Sequence, residues 1–160
     1  MRWIKRILIL IAVALLFWWT LPKEPPSNWN LAQVIAIKDG DSFVVSQAGN
    51  SIELRLIGID APEYGQPWSQ EAREELVRTI PDGTFIYYTE EKLLPDAFGR
   101  KLVVVYTEVD QPFEESINAR LVRLGLAIVP DYPDPTIYYP ELKRLEKEAK
   151  EKSLGIHGDS

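Results

Sequence analysis

Short stretches of alternating hydrophobic and polar residues run through the central part of the chain, and this pattern predicts strands. In residues 51–59, isoleucine and leucine side chains fall on one face of an extended chain, whereas Glu53 and Arg55 fall on the other. Turn-forming sequences separate such stretches, for example Asp-Gly-Asp at 39–41 and Gly-Asn at 49–50. Together with runs rich in β-branched and aromatic residues, the pattern predicts five main strands and a short sixth, at residues 31–38, 42–48, 51–59, 84–90, 101–107 and 126–129.

Three other stretches have helical character, at residues 69–80, 113–124 and 141–153. Ser69 is a candidate N-cap for the first helix, and Gly125 closes the second. Three strands, a helix, two strands and further helices is the order expected of a five-stranded OB barrel with added helices. We therefore predict an α+β fold, an OB-fold β-barrel with about three helices, although a fold alone does not define a function.

A charge-free apolar run occupies residues 7–21 and follows three basic residues within the first six positions. Such an arrangement is typical of an export signal. No small-residue cleavage site follows the run, and its Trp18-Trp19 pair suits a membrane interface better. We predict that residues 1–21 form an uncleaved hydrophobic helix, anchored in the membrane through residues 3–21. Secretion after cleavage is the alternative.

The proline-rich residues 22–29 predict an extended linker. Residues 30–160 then form the folded domain, which an uncleaved anchor would place outside the cytoplasm. This domain carries 14 basic and 23 acidic residues, a net charge of −9. That balance disfavours a protein that coats nucleic acid with a basic face, but it allows an enzyme whose positive charge is confined to one pocket.

The composition also restricts the chemistry. The chain has no cysteine, so disulfides, zinc–thiolate sites and thiol nucleophiles are excluded. Its one histidine, His157, lies four residues from the C-terminal end, where we expect a solvated side chain. Any catalysis must therefore use carboxylates, arginine, lysine, tyrosine or a metal.

Carboxylates and arginines recur at the predicted strand ends, in segments 39–42, 55–63 and 96–100. Asp41 and Asp60 would lie at adjacent strand ends of a barrel. Two carboxylates with a backbone carbonyl and water suit a hard cation such as calcium, whereas zinc prefers nitrogen or sulfur ligands. The planar guanidinium groups of the two arginines match phosphate oxygens and can neutralise a five-coordinate phosphorus. The residues alone thus indicate a metal–phosphate site.

In order and spacing, these three segments resemble the thermonuclease, or staphylococcal-nuclease-like, family. The resemblance continues in Glu71-Ala72, in residues 121–127 and in residues 139–155, so it covers nearly all of the domain. It implies a calcium-dependent endonuclease that hydrolyses phosphodiester bonds of DNA or RNA with low sequence specificity and leaves 3′-phosphate ends. Single-stranded or locally melted nucleic acid is the implied substrate. No protein partner is implied, and we expect a monomer.

The resemblance also assigns roles to individual residues. It implies one Ca²⁺ ion, bound by Asp41, Asp60 and the backbone carbonyl of Ala61. Arg55 and Arg100 would clamp the phosphate, and Glu63 would activate or orient the attacking water.

Some positions depart from the family pattern or have two readings. Ser42 replaces the usual threonine and keeps its hydroxyl. Phe98 stands where many relatives carry tyrosine. The loss of that hydroxyl concerns the exonucleolytic preference for chain ends rather than cleavage itself. Asp39 either supports the calcium loop or only forms a turn. Three tyrosines, at 132, 138 and 139, either stack on bases or pack their proline-rich loop.

Two other functions compete with a nuclease. A non-catalytic OB-fold module could bind nucleic acid at the cell envelope, but it has no reason to keep all five of Asp41, Arg55, Asp60, Glu63 and Arg100. A calcium-dependent structural or adhesive envelope protein would explain the aspartates. It would not explain arginines that converge on a cation, because that arrangement is costly unless an anion lies between them.

Overall fold

The computed structural model describes residues 25–91 and 95–158, together with the isolated positions 3, 7 and 11. The predicted membrane anchor and the start of the linker therefore lie almost wholly outside the described residues. Within the described part of the chain, no helix combines the length and the hydrophobicity that a membrane crossing requires.

Five strands form one closed barrel, and their bounds are β1 (Asn30–Ile37), β2 (Ser42–Gln47), β3 (Asn50–Leu56), β4 (Phe85–Glu90) and β5 (Lys101–Tyr106). The order around the barrel is β1-β2-β3-β5-β4. Only β3 and β5 run parallel to each other; the other neighbours are antiparallel. The predicted five-stranded OB barrel is thereby confirmed.

Inward-facing apolar side chains fill the barrel, among them Phe43, Leu54 and Val103, which are fully buried. The ring of Tyr88 is also buried, and its hydroxyl donates a hydrogen bond of 2.8 Å to Gln47. Burying this tyrosine is tolerated because its one polar group has a partner. The alternation seen in the sequence thus corresponds to the inner and outer faces of the barrel.

Three α-helices and two 3₁₀ turns pack on the barrel: α1 (Ser69–Thr79), α2 (Ile117–Arg123), α3 (Tyr139–Glu151), Phe113–Glu115 and Gly155–His157. Two details of the helix prediction are wrong. The stretch 113–124 is not one helix, because Ser116 is extended and caps α2 by accepting a hydrogen bond from the Ala119 N–H at 3.1 Å. The N-cap of α1 is Trp68 rather than Ser69, whose hydroxyl instead donates to the Gln66 carbonyl.

The strand prediction also fails after Leu56. The backbone turns at Gly58, where φ is 79° and a Cβ atom would lie 2.6 Å from the Thr136 side chain. Residues 126–129 are not a strand but make a single antiparallel bridge, between Ile128 and Asp60. In both segments, hydrophobicity reflects burial beneath the helices and the 130–138 loop rather than sheet pairing.

A buried asparagine on α2 secures the end of β3. The Asn118 amide donates to the carbonyls of Ile57 and Val103, at 3.0 and 3.1 Å, and its oxygen accepts from the Val105 N–H at 3.2 Å. These bonds give buried backbone polar groups a side-chain partner, and the Val103 carbonyl also accepts from the Ile57 N–H at 2.9 Å. The segment that leads to Asp60 is therefore fixed from the helical side.

Glu75 ties α1 to α2, and we predict that Glu75→Gln destabilises the protein by about 1–3 kcal/mol at pH 7. Its carboxylate accepts from Arg78 on its own helix and from Arg120 on α2. Burial raises the pKa of Glu75, but the two arginine hydrogen bonds outweigh burial, so the pKa lies below the usual value of 4.5. A depressed pKa gives stability above the unfolded-state pKa that is lost as the pH falls.

Urea unfolding at several pH values would test this prediction. The difference between parent and Glu75→Gln should shrink as the pH falls below 4.5, towards the folded-state pKa of Glu75. Glu74→Gln is the matched control, because Glu74 is exposed and bonded only to Gln70 in a surface pair; its effect should stay within about 0.5 kcal/mol. An effect of Glu75→Gln that does not change with pH would contradict the ion-pair explanation.

Candidate active site

The turn between β1 and β2 places a buried carboxylate at one end of the barrel. Asp41 is 3% exposed. The Asp39 side chain accepts hydrogen bonds from the backbone N–H groups of Asp41 and Ser42, at 3.0 and 2.7 Å. Asp39 therefore holds this turn, and its support of a calcium loop stays a prediction.

Gly40 allows this turn to pack tightly. A Cβ atom at Gly40 would lie only 2.7 Å from the Cβ atoms of both Ala61 and Ala72. Any side chain at this position would push the turn away from α1 and from the loop that follows β3. Glycine at position 40 thus sets the distance between Asp41 and the segment that carries Asp60.

Asp41 is held on both carboxylate oxygens. One accepts from the Ala61 N–H at 3.0 Å, and the other accepts from the Ser42 hydroxyl at 2.9 Å. Burial raises the pKa of Asp41 to about 6, although Arg55 and the Ala61 N–H both lower it. An ionised Asp41 at neutral pH therefore depends on a nearby cation.

Arg55 supplies positive charge to both predicted metal ligands. One guanidinium nitrogen lies 2.7 Å from Asp41, and another lies 2.5 Å from Asp60. Register explains the first contact, because Arg55 pairs with Ser42 across β2 and β3. Asp60 is the more accessible partner, with its side chain 40% exposed against 5% for Asp41.

Arg100 is oriented by Asp96. The Asp96 carboxylate accepts from Arg100 Nε at 2.8 Å and also accepts from the backbone N–H groups of Phe98 and Arg100, both at 2.9 Å. Another guanidinium nitrogen of Arg100 donates to the Ser42 hydroxyl at 3.2 Å. A continuous network thus runs from Arg100 through Ser42 and Asp41 to Arg55. The guanidinium also lies over the exposed Phe98 ring, 5.1 Å from its centre.

Glu63 lies on the loop that follows Asp60 and is exposed to solvent. Gln66 fixes this part of the loop in two ways. Its side-chain oxygen accepts from the Glu63 N–H at 3.0 Å, and its backbone N–H donates to the Glu63 carbonyl at 2.9 Å. The backbone at Glu63 is therefore held while its carboxylate remains free to meet a ligand.

One cleft of about 540 Å³ joins these residues. Asp41, Arg55, Glu63 and Arg100 all line it, together with the Ala61 residue whose carbonyl is a predicted ligand. Asp60 joins the set through its ion pair with Arg55. The fold thus brings together all six residues that the sequence singled out, from three separate segments.

The sequence did not single out some residues of this cleft. Glu53 lines it beside Arg55, pairs with Lys38 at 2.5 Å, and could have been found from its place two residues before Arg55 on the same strand face. Asp96 was noted without a role. Among the tyrosines, only Tyr132 lines the cleft, and nothing in the sequence distinguished it from its neighbours.

The other two tyrosines belong to the packing of the helices. Tyr138 stacks on Phe113 with ring centres 4.0 Å apart. The Tyr139 hydroxyl donates to Asp131, and Lys143 lies over its ring.

The expectation of a solvated His157 is wrong, because this residue is half-buried in the last 3₁₀ turn and burial lowers its pKa.

The residues present fit a hard cation better than a transition metal. Among the described residues, no group of three or more histidine, cysteine, aspartate or glutamate side chains is placed to hold a metal ion. Two carboxylates that already share one cationic group do converge, with the Ser42 hydroxyl beside Asp41. Calcium accepts such a mixed oxygen set, completed by carbonyls and water.

Comparisons with known proteins agree with this geometry. Residues 53–159 match the model of a family described as staphylococcal nuclease homologue. A micrococcal nuclease of Shigella flexneri is 36% identical over 135 residues, covering 79% of this chain and 73% of that protein. A thermonuclease of Staphylococcus hyicus is 28% identical over 136 residues, covering 81% and 77%. An uncharacterized endonuclease of Haemophilus influenzae is 29% identical over 162 residues, covering 98% and 82%.

We predict that Arg55→Gln lowers the free energy of unfolding in chelator by about 3 kcal/mol, because it leaves a buried carboxylate without its cation. Calcium should restore much of this loss and should stabilise the variant more than the parent, since Arg55 no longer competes for Asp41 and Asp60. Thermal and urea unfolding with and without calcium measure both effects.

The matched control for this prediction is Arg144→Gln, since Arg144 is half-exposed and pairs only with glutamates on the surface of α3. Its stability should change by less than about 1 kcal/mol, equally with and without calcium. Absence of any calcium-dependent stabilisation in both parent and Arg55→Gln would show that the two aspartates do not form the cation site.

Proposed function

The chain belongs to the staphylococcal nuclease homologue family, and from this premise we propose that it is a calcium-dependent nuclease that leaves 3′-phosphate ends. Family membership makes it a nuclease, a hydrolase acting on nucleic acid. The observation that carries the finer proposal is the convergence of Asp41, Asp60 and two arginines on one cleft beside an exposed Glu63. DNA and RNA are both proposed substrates, cleaved internally with low sequence specificity.

The cation would be held by Asp41, Asp60 and the Ala61 carbonyl. When bound, a single Ca²⁺ ion supplies positive charge that polarises the phosphate. The fixed position of Asp41, bonded to Ala61 and Ser42, keeps one ligand in place before a cation binds. Arg55 contacts both aspartates in the structure, and we propose that it exchanges its more exposed contact, to Asp60, for a substrate phosphate.

Arg55 and Arg100 would together hold the phosphate. Both side chains are largely buried, at 15% and 16% exposure, so their charge is weakly screened. Each is oriented by a carboxylate, which reduces the conformational freedom lost when phosphate binds. Their positive charge would be strongest where it is needed, at the oxygens of a five-coordinate phosphorus.

Glu63 would orient the attacking water and accept its proton. The water oxygen forms a bond to phosphorus, and the bond from phosphorus to the 5′ oxygen breaks. The 5′ oxygen takes a proton from solvent and leaves as a hydroxyl, and the phosphate stays on the 3′ side. The exposed position of Glu63 suits this role, because the attacking water must come from solvent.

Low sequence specificity follows from what the cleft offers a substrate. Next to Arg55 lies a cavity of about 420 Å³, mostly apolar, lined by Leu56, Ile59, Leu102 and Tyr132 among others. A base can stack on Tyr132 there, and stacking tolerates any base. A stacked base must leave its duplex, so the substrate would be single-stranded or locally melted.

The competing functions fit less well. A binding module would not need Asp96 to orient Arg100 towards the Ser42–Asp41 pair. A structural calcium protein would not need an arginine whose two guanidinium nitrogens face both aspartates. Each arrangement places an arginine near the cation site, and the resulting repulsion is small only if an anion binds between the arginine and the cation.

We predict that Glu63→Gln lowers kcat on single-stranded DNA by on the order of 10²–10⁴-fold, because it removes the proton acceptor while preserving shape. Arg100→Ala should lower kcat by on the order of 10²–10³-fold, through lost charge neutralisation. Assays in calcium, magnesium, zinc and chelator should show cleavage with calcium and none with chelator. End analysis should find 3′-phosphates.

The control for these variants is Arg78→Ala, an exposed arginine on α1 away from the cleft, which should cleave like the parent. Unfolding curves establish that each variant is folded. A folded Glu63→Gln protein with parental kcat would remove Glu63 from the mechanism. A parent protein that retains DNA without cleaving it in any metal would favour the binding module.

We also propose that residues 1–21 anchor the protein in a membrane with the nuclease domain outside the cytoplasm. The support is the sequence alone, an apolar run that follows basic residues and contains two adjacent tryptophans. The protein should stay with membranes after alkaline carbonate washing, and its domain should be digested by protease added to intact cells stripped of their outer wall layers. Recovery of the protein in the culture medium, shortened at its N-terminal end, would instead indicate a cleaved signal.

A further inference from the structure

A second groove continues from the catalytic cleft past Glu63. Its volume is about 600 Å³, and it shares Ala61, Pro62 and Glu63 with the cleft. Its remaining wall is largely apolar and includes Pro67, Trp68, Ile128 and Ile156. We name this surface the Trp68 groove. Neither arginine of the cleft lines it, and neither does Tyr132.

Trp68 is presented to solvent by a rigid loop. Its indole is 40% exposed, and the neighbouring Ile128 is 42% exposed. Its backbone has φ of 69°, a conformation that few non-glycine residues adopt. Hydrogen bonds between Gln66 and Glu63, and from the Ser69 N–H to the Gln66 carbonyl at 3.2 Å, hold the loop in this form. The loop that fixes Glu63 therefore also fixes the indole beside it.

The charges of the groove select its occupant. Among its described lining residues, the ionisable groups are the carboxylates of Asp60 and Glu63, and no lysine or arginine is present. A phosphate would be repelled there, whereas the uncharged face of a base can stack on an indole. The groove is thus suited to an unpaired base rather than to the sugar–phosphate backbone.

Continuity with the cleft gives this base a place in the substrate. A polynucleotide whose phosphate lies between Arg55 and Arg100 must leave the cleft in two directions. One direction leads into the cavity of Tyr132, which borders Arg55. The other leads past Glu63 into the Trp68 groove.

We propose that the Trp68 groove is a second base subsite, for the nucleoside on the opposite side of the scissile phosphate from the one stacked on Tyr132. This inference rests on the proposed nuclease function. Trp68 is then a specificity-determining contact that favours substrates with bases on both sides of the cleaved bond. Stacking of one base on an aromatic side chain corresponds to a gain in kcat/KM of about 5–150-fold.

The test pairs each aromatic residue with each flanking base. Oligonucleotides carry one cleavable phosphodiester among methylphosphonate linkages, with a base or an abasic tetrahydrofuran residue on either side of that bond. The full-length protein is assayed in mild detergent with calcium, as parent, Trp68→Leu and Tyr132→Leu. Leucine keeps an apolar side chain in the wall of the groove but removes the aromatic face, and Trp68→Phe serves as the conservative control.

We expect that an abasic residue on either side lowers kcat/KM of the parent. Trp68→Leu should lower kcat/KM about 5-fold or more for the substrate that has a base on both sides of the cleaved bond. In this variant, an abasic residue on one of the two sides should cause no further loss of kcat/KM. Tyr132→Leu should abolish the penalty on the other side. Trp68→Phe should retain most of the parent behaviour, and thermal unfolding should show each variant folded.

Three results would overturn the inference while leaving the nuclease intact. The first is an equal loss for all substrates in Trp68→Leu, which indicates only a structural role, and the second is no loss at all. The inference would also be overturned if Trp68→Leu and Tyr132→Leu both abolished the penalty of the same abasic residue, because the two grooves would then bind one nucleoside. A parent protein that cleaves none of the substrates in calcium would instead overturn the proposed function, and the second subsite with it.

Discussion

The ion pair between Asp41 and Arg55 is the constraint on which the site depends. A carboxylate that is 3% exposed remains ionised only beside positive charge, and Arg55 lies 2.7 Å away. The barrel provides this neighbour through register, since the residue after Asp41 pairs with Arg55 across two adjacent strands. The turn at Gly40 then brings the loop after β3 close enough for the Ala61 N–H to complete the arrangement. One buried charge therefore links the barrel, the first turn and the loop that carries Asp60 and Ala61.

The helices contribute by positioning Asp60. Its backbone bridges to Ile128, with N–H to carbonyl distances of 3.0 and 2.9 Å. The next residue, Val129, donates its N–H to the buried Glu146 of α3 at 3.0 Å, and Lys150 neutralises that glutamate at 2.9 Å. Asn118 fixes the start of the same segment from α2. Asp60 thus lies in a loop, but hydrogen bonds to the buried side chains of Glu146 and Asn118 hold this part of the backbone to two helices.

Local patterns and long-range contacts differ in how far the sequence reveals them. Partial alternation, together with runs rich in β-branched and aromatic residues, predicted five strands, and the bounds of four of them agree with the structure within two residues. The predicted third strand extended to residue 59, beyond the end of β3 at Leu56. The residues after Leu56 are still mostly apolar because loops and helices bury them. The turn at Gly58 depends on Thr136, far away in the chain, so no local signal marks it. The candidate site residues came from three short segments, whereas the choice of Tyr132 over its neighbours, and the alignment of Trp68 with Glu63, depend on how loops pack.

The acidic character of the protein is compatible with a polyanionic substrate only if cation and phosphate bind together. The cleft is lined by four acidic side chains, Asp39, Asp41, Glu53 and Glu63, against two arginines. Both arginines already neutralise carboxylates, Arg55 those of Asp41 and Asp60 and Arg100 that of Asp96. A phosphate alone would therefore meet a cleft with no surplus positive charge. Under the proposed function, a divalent cation shared by the two aspartates would release guanidinium charge for the phosphate, and the phosphate would in turn add an anionic partner for the cation. Because coupling between two ligands is reciprocal, each should raise the affinity for the other. In the proposed nuclease, this coupling would confine strong phosphate binding to the cleft that holds the cation.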